Sequence, residues 1–320
     1  MRTGLCSQPR PDRWAARPIP LLGGLPILLG VSLAAWIAGD GRKQTPRMAG
    51  AWTAFLVGLR DDAAAMGPLG KVAGVFGACL MEEAVRTAMA NSASAGHSVR
   101  GARGRAARAA SGALDIAFVV AATNAFNMVD NMDAVAAGLA AISAGGILDE
   151  LSGRRAADVT GAERRFTGGV LGACCGFLAW NAPPSSLMMG DAGSMSLGYL
   201  LSRAALETGD GGCQMFRPSL LLFAPAADTL FVLARRAAAG RSLVRGNTDH
   251  LSHVLAGVGL PEPGPAVIVC GLHAAGMALR GQRARRTNYL EFAAAAVAGI
   301  LIGRIISGMR VSPRSPFGSA

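Results

Sequence analysis

Charged residues are scarce in this sequence of 320 residues, where Asp, Glu, Lys and Arg together make up 16%. Soluble domains usually carry about a quarter, which argues against a water-soluble globular protein. Aromatic residues are also few, at 5%, while hydrophobic residues reach 51%. With so few bulky side chains, helices are expected to pack through Ala and Gly, as they do in lipid. The composition therefore predicts a membrane protein.

Cysteine patterns that would indicate a metal site or a disulfide framework are missing. The six cysteines show no CxxC spacing and lie mostly in apolar or Gly-rich runs, so buried free thiols are expected. The net charge of +11 comes from arginines in short clusters between apolar blocks, without a recognisable nucleic-acid-binding motif. Membrane flanks explain these clusters better than nucleic acid does.

Long apolar blocks dominate what is present. Blocks of about 17 to 25 residues, the length that crosses the hydrocarbon, predict roughly ten spans, near residues 20–38, 47–60, 71–90, 112–129, 133–149, 166–181, 194–208, 218–235, 265–280 and 289–309. The expected fold is all-α, a polytopic membrane bundle with about ten transmembrane helices, and residues 1–320 form one domain. Glu82 and Glu83 interrupt the third block and are expected at a helix end or inside the bundle.

Acidic residues recur at the edges of apolar segments in three places, "GLRDDAAAMGPLGK", "NAFNMVDNMDAVAAG" and "MGDAGS". A carboxylate near hydrocarbon is costly and needs a partner, a cation or a wet cavity. Mg²⁺ commonly binds one or two carboxylates together with substrate phosphates. Asp61, Asp62 and Asp191 are therefore candidate ligands, with a solvated loop and a helix cap as the alternatives for these positions.

The middle motif places polar side chains at every third position: Asn124, Asn127, Asp130 and Asp133. On a helix they would follow one winding polar face. An Asn- and Asp-rich end of a helix would give the same pattern.

A last polar segment joins Arg235, Arg236, Arg241 and Arg245 to His250 and His253. Histidines at positions i and i+3 share a helix face and could both donate to a diphosphate. A solvated basic loop is the alternative.

Together these motifs resemble the polyprenyl-phosphate N-acetylhexosamine-1-phosphate transferases, also called glycosyl transferase family 4. "FLVGLRDDAAAMGPLGK" resembles the family's paired-Asp segment, "NAFNMVDNMDAVAAG" its Asn-Ala-x-Asn-x-x-Asp-Gly-x-Asp-Gly motif, "NAPPSSLMMGDAGSMSLG" its Met-Gly-Asp-x-Gly-Ser motif and "HLSHVL" its histidine loop. Residues 17–27, "RPIPLLGGLPI", are similar to the family's N-terminal Pro-x-Pro-x-x-Gly-Gly motif. The GlcNAc-type branch is favoured, because the muramoyl-pentapeptide branch usually carries consecutive histidines in its last loop.

The resemblance implies transfer of a sugar 1-phosphate from a UDP-N-acetylhexosamine to a polyprenyl phosphate, with Mg²⁺, or Mn²⁺ as an alternative, and release of UMP. It implies Asp191 as the first metal ligand, with Asp61 and Asp62 supporting the metal or orienting the lipid phosphate. Asp130 and Asp133 would shape the catalytic pocket. The substrate contacts implied are Asn124, Asn127, Lys71, His250 and His253.

Several positions depart from the family pattern. Asn131 and Ala134 stand where glycines are usual, and Ser252 stands where the loop usually has another His. We interpret the chain as an active, divergent branch with a reshaped diphosphate site.

The implied location is the inner, cytoplasmic membrane of a bacterium, with the site facing the cytoplasm where UDP-sugars occur, as a first membrane step of cell-wall or surface-polysaccharide synthesis. The Arg-rich loops would then face the other side, against the usual excess of Lys and Arg in cytoplasmic loops. A muramoyl-pentapeptide-type transferase, a transporter with intramembrane acids and an inactive scaffold are the alternative functions. No nucleic-acid partner is expected, and a homodimer is one option for assembly.

Overall fold

The computed structural model describes residues 6–7, 18–37, 41–93, 102–153, 161–208, 221–242 and 249–283. Within them, a short antiparallel ribbon pairs β1 (Cys6–Ser7) with β2 (Ile19–Pro20). Ten helices form the rest of the described architecture: α1 (Gly24–Ile37), α2 (Gly41–Ala63), α3 (Pro68–Ala93), α4 (Ala102–Val129), α5 (Val135–Gly153), α6 (Gly161–Asn181), α7 (Gly190–Leu206), α8 (Phe223–Ala238), α9 (Leu251–Gly257) and α10 (Gly264–Arg283).

The predicted all-α architecture is confirmed, since nine of the predicted apolar spans coincide with α1 to α8 and α10. The last predicted span, 289–309, and Arg245 lie outside the described residues. Among the described residues, two segments are long and apolar enough to cross a bilayer, Gly112–Val129 within α4 and Val135–Gly153. Shorter apolar helices cover Gly24–Ile37 and Gly264–Ala278. Ten transmembrane helices therefore stay a prediction.

Helix α7 lies at the centre of the bundle and is buried on almost every side. It packs mainly against α2 and α4, with α1 alongside. Small residues allow close approach: a Cβ atom at Gly24 would lie 2.3 Å from the Cα atom of Gly193, and one at Gly58 would lie 2.2 Å from the carbonyl oxygen of Asp191. Packing through small residues, expected from the composition, is thus seen where α7 meets its neighbours.

The outer face of α1 is strongly apolar. Leu29, Leu33, Trp36 and Ile37 expose half or more of their surface. An exposed row of large apolar side chains is unfavourable in water and favourable in lipid, so this helix supports a membrane-associated fold.

Candidate active site

The loop that leads into α7 is held by residues 20–24 of the N-terminal motif. The Met188 N–H donates to the carbonyl of Pro20 at 2.9 Å, while Gly23 N–H donates to Met188 at 2.9 Å and Gly24 N–H to Met189 at 3.1 Å. Two distant segments therefore pair through their backbones, and the pairing fixes the position at which α7 begins.

Asp62, near the end of α2, caps the start of α7. Its Oδ1 accepts the N–H of Asp191 at 2.9 Å and its Oδ2 accepts the N–H of Ala192 at 3.0 Å. The first N–H groups of a helix have no partner within the helix and attract negative charge. Gly190 turns the chain here with a φ of 70°, and a Cβ atom at this position would lie 2.7 Å from Oδ2 of Asp62. Asp62 thus positions Asp191.

Lys71, on α3, lies between two carboxylates. Its Nζ is 2.8 Å from Oδ2 of Asp61 and 2.5 Å from Oδ2 of Asp191, and it donates to Oδ1 of Asn127 at 3.2 Å. The Asn127 amide Nδ2 donates to Oδ1 of Asp191 at 3.0 Å and to Oγ of Ser194 at 3.0 Å. We call the residues that converge here from α2, α3, α4 and α7 the aspartate cluster: Asp61, Asp62, Lys71, Asn127 and Asp191.

The donor atoms of the aspartate cluster fit a Mg²⁺ ion that substrate phosphates help to bind. Among the residues described, no group of three or more His, Cys, Asp or Glu side chains is arranged to hold a metal alone. Asp61 and Asp191 nevertheless share one cation, the Lys71 ammonium, so both can approach a common point. Mg²⁺ usually takes only one or two carboxylates besides water and phosphate. Asp62 differs, because both of its oxygens already bind backbone N–H groups.

The turn between α4 and α5 is joined to the loop between α6 and α7. Both oxygens of Asp133 accept bonds from Ser185, from its N–H at 2.9 Å and its hydroxyl at 2.8 Å. Asn181 accepts the N–H of Ala134 at 3.0 Å and donates to the carbonyl of Leu187 at 3.1 Å. These contacts give Asp133 a role in shaping the loop that precedes Asp191.

Two further predicted residues, Asn124 and Asp130, lie on α4 and directly after it. Asp130 follows the last residue of α4 and is half-buried. The Asn124 amide donates to the carbonyl of Val120 in its own helix at 2.8 Å. The structure therefore brings Asp61, Asp62, Lys71, Asn127 and Asp191 into direct contact and places Asn124 one turn deeper along α4.

The histidine segment is held at the same end of the bundle. The Ser252 hydroxyl donates to Oδ1 of Asn131 at 2.6 Å, which joins α9 to the turn after α4. The rings of His250 and His253 lie 6.1 Å apart between centroids. Two of the three residues that depart from the family pattern, Asn131 and Ser252, thus bind each other.

Two acidic residues beside the predicted ones, Asp228 and Glu262, were not predicted from the sequence. Asp228, on α8, accepts a bond from Nδ1 of His250 at 2.6 Å. Burial and the nearby negative charge of Asp133 raise the pKa of Glu262, in the loop between α9 and α10. Asp228 could have been found from the sequence, because it is a single carboxylate within the apolar run "LLFAPAADTLFVL". A carboxylate in such a run needs a partner, a cation or a wet cavity, which is the argument used above for Asp191.

Apolar helices around an internal cluster of carboxylates, amides and one ammonium define a helical membrane-type bundle with a polar site at one end. Residues 46–209 match the model of glycosyl transferase family 4. The chain belongs to this family.

Relatives cover most of this chain. It is 31% identical over 293 residues to a decaprenyl-phosphate N-acetylglucosaminephosphotransferase of Mycolicibacterium smegmatis, covering 81% of this chain and 70% of that protein. It is 27% identical over 266 residues to a protein of Bacillus subtilis described as a probable undecaprenyl-phosphate N-acetylglucosaminyl 1-phosphate transferase, covering 81% and 72%. Similarity to the phospho-N-acetylmuramoyl-pentapeptide-transferase of Borreliella burgdorferi is 35% over 99 residues, or 28% of each chain. The chain spans 60% of the length of a further relative, from Streptomyces coelicolor, which is 31% identical over 265 residues.

Proposed function

We propose that this protein transfers a sugar 1-phosphate, GlcNAc 1-phosphate above all, from a UDP-N-acetylhexosamine to a polyprenyl phosphate at the cytoplasmic face of the membrane. The observation that carries the proposal is the aspartate cluster, in which Asp61 and Asp191 converge on one cation at the end of a buried helix. The match to a GlcNAc-type relative covers 81% of this chain and the match to a muramoyl-pentapeptide transferase covers 28%, which supports GlcNAc 1-phosphate as the group transferred.

The reaction needs little covalent chemistry from the protein. An oxygen of the polyprenyl phosphate attacks the phosphorus that carries the sugar, the bond from that phosphorus to UMP breaks, and UMP leaves with the electron pair. The lipid phosphate is already ionised near neutral pH, so no strong general base is required. Phosphoryl transfer then depends mainly on positioning and on neutralising charge.

The residues of the aspartate cluster suit those two tasks. Asp61 and Asp191 would hold Mg²⁺, which when bound neutralises the phosphate oxygens of both substrates. Lys71, whose ammonium lies between these carboxylates, can instead contact a phosphate once the metal is bound. Asn127 orients Asp191 from one side, and Asp62 fixes its backbone from the other.

The test is UMP release from UDP-GlcNAc with a short polyprenyl phosphate and Mg²⁺. Asp191→Asn should lower the rate by roughly 100-fold or more, because charge stabilisation is the main contribution to such a reaction. Asp149→Asn is the matched control, since Asp149 is exposed near the far end of α5, and it should behave as the wild type. Wild-type rates with Asp191→Asn, or no UMP release by the wild type, would refute the proposal.

A further inference from the structure

The carboxylate of Asp228 holds the start of the histidine segment with both oxygens. Its Oδ2 lies 2.6 Å from Nδ1 of His250, and its Oδ1 accepts the backbone N–H of Leu251 at 2.9 Å. Both side chains are buried, with 7% of Asp228 and 9% of His250 exposed. A buried carboxylate is costly unless it is paired and hydrogen-bonded, so the two contacts fix this arrangement.

The pairing determines which ring nitrogen of His250 carries the proton. An ionised carboxylate can only accept hydrogen bonds, so Nδ1 must be the donor to Asp228. The other ring nitrogen, Nε2, is then the atom that can meet a ligand. A carboxylate behind a functional histidine commonly sets the tautomer and direction of the ring in this way.

We propose that Asp228 is a positioning residue that orients His250, so that Nε2 of the imidazole contacts the diphosphate of the sugar donor. This inference rests on the proposed function, in which the substrate is a nucleoside diphosphate sugar. It assigns a role in the reaction to α8, a helix that contributes no residue to the aspartate cluster.

Other contacts anchor the same segment independently of His250. Asp249 accepts a bond from Nε of Arg236 at 3.2 Å and has Arg241 at 3.7 Å. On the other side, Ser252 donates to Asn131. Since the segment is attached both before and after His250, the particular contribution of Asp228 is the direction of the ring. Asp249 therefore serves as a matched control: it is an adjacent acid that ties the same segment to α8 through arginines.

The experiment compares three single variants, Asp228→Asn, Asp249→Asn and His250→Asn, with two double variants. Each double variant combines His250→Asn with one of the two aspartate substitutions. The asparagine in His250→Asn can still donate to Asp228 from the position of Nδ1, but it has no group at Nε2. The readouts are kcat and KM for UMP release, the melting temperature in detergent, and the ¹⁵N signals of the His250 ring.

If Asp228 orients His250, Asp228→Asn lowers kcat about tenfold or more, as loss of such an orienting carboxylate usually does, and changes the Nδ1 signal. The same change should have little further effect in the His250→Asn background. Asp249→Asn should lower kcat by the same small factor in the wild type and in the His250→Asn variant. His250→Asn should lose activity and keep its melting temperature, which holds even if Asp228→Asn fails to fold.

Three results would overturn the inference: wild-type kcat in Asp228→Asn, an equal loss from Asp228→Asn with and without His250, or full activity in His250→Asn. If the wild type releases no UMP, the proposed function fails. The ring signals then test the hydrogen bond between His250 and Asp228 without any activity measurement. An Nδ1 signal that Asp228→Asn leaves unchanged would exclude this bond, and loss of the Nδ1–H signal would support it.

Discussion

The two ends of α7 carry charged side chains that are compensated in different ways. At its start, Asp61 and Asp191 share the ammonium of Lys71. Near its end, Arg203 contacts Glu82 at 2.7 Å, and Tyr199 donates to the same carboxylate at 2.6 Å. Beyond them, Arg47 contacts both Glu163 at 2.7 Å and Glu207 at 3.0 Å. We call this second group the arginine network: Arg47, Glu82, Glu163, Tyr199, Arg203 and Glu207.

In the arginine network each carboxylate has a guanidinium partner, and Glu82 has two, since Arg86 also contacts it. In the aspartate cluster two carboxylates depend on one lysine. Ionic groups that are fully paired inside a bundle have little capacity for another ion, whereas an excess of carboxylates favours a cation. The difference indicates that the arginine network holds the helices together, and it favours the aspartate cluster as the candidate ligand-binding end.

The largest expected effect is on the arginine network. Arg203→Met should lower the free energy of unfolding by about 3 to 5 kcal/mol, because it leaves the buried Glu82 carboxylate without its buried partner. Arg86→Met removes the half-exposed partner and should cost less than about 1 kcal/mol. Thermal unfolding in detergent measures both, and Mg²⁺ should rescue neither. Equal effects of the two changes would contradict the structural role given to Arg203.

At the aspartate cluster the corresponding change is Lys71→Met. Asp61 and Asp191 are partly exposed, so losing their shared cation should cost about 1 to 3 kcal/mol. Mg²⁺ should raise the melting temperature of Lys71→Met more than that of the wild type, because the ion can take the place of the ammonium. If Mg²⁺ stabilised Arg203→Met just as much, the contrast between the two ends would be lost.

A smaller effect is expected where Asp62 meets α7. Gly190→Ala places a methyl group 2.7 Å from the Asp62 carboxylate in a left-handed backbone conformation. Gly240→Ala has the same kind of backbone, with φ of 61°, but open space around it. Both should cost about 1 to 2 kcal/mol from the backbone, and only Gly190→Ala should also slow UMP release. Equal rates in the two variants would show that the Asp62 cap is not needed.

The smallest effect is a gain in stability. Ala134 has a φ of 63° in the turn that carries Asp133, a conformation that costs a residue with Cβ about 1 to 2 kcal/mol. Ala134→Gly removes this strain but adds freedom to the unfolded chain, worth about 0.5 to 1 kcal/mol. The melting temperature should therefore rise slightly, whereas Ala136→Gly, in the buried helix α5, should lower it. A fall in both would mean that the turn is unstrained.

Much of the fold follows from the sequence, because apolar blocks of spanning length mark helices directly. Nine predicted spans fall on observed helices. The short helix α9 was not among the predicted spans, and the sequence left a helix and a basic loop open for the histidine segment, since "LSHVLAG" is too short to give a periodic pattern. The prediction that Glu82 and Glu83 lie at a helix end or inside the bundle is confirmed for Glu82, which is buried at 3% exposure. It is wrong for Glu83, which is exposed in the middle of α3 because successive residues of a helix point in different directions. The pairing of Glu82 with Arg203 could not be predicted, because the sequence does not give the alignment of one helix against another.

The candidate site shows the same division. Carboxylates beside apolar segments were recognised from the cost of burying them, and Asp61, Asp62 and Asp191 do converge. The hydrogen-bond partners of each carboxylate oxygen depend on how the helices pack. The capping of α7 by Asp62 therefore could not be predicted from the sequence around Asp62. Asp228, like Asp191, is a carboxylate beside apolar residues, but it was not recognised because it lay outside the motifs that were identified.

The pairing of Pro20, Gly23 and Gly24 with Met188 and Met189 also bears on how the protein is made. Residues 20–24 leave the ribosome long before residues 188–189, and the chain between them forms helices α1 to α6. A chain released early by a stop codon before α7 would hold Asp61 and Lys71 without Asp191. Such a fragment would lack one carboxylate of the aspartate cluster, so the proposed transfer would begin only after α7 has joined the bundle.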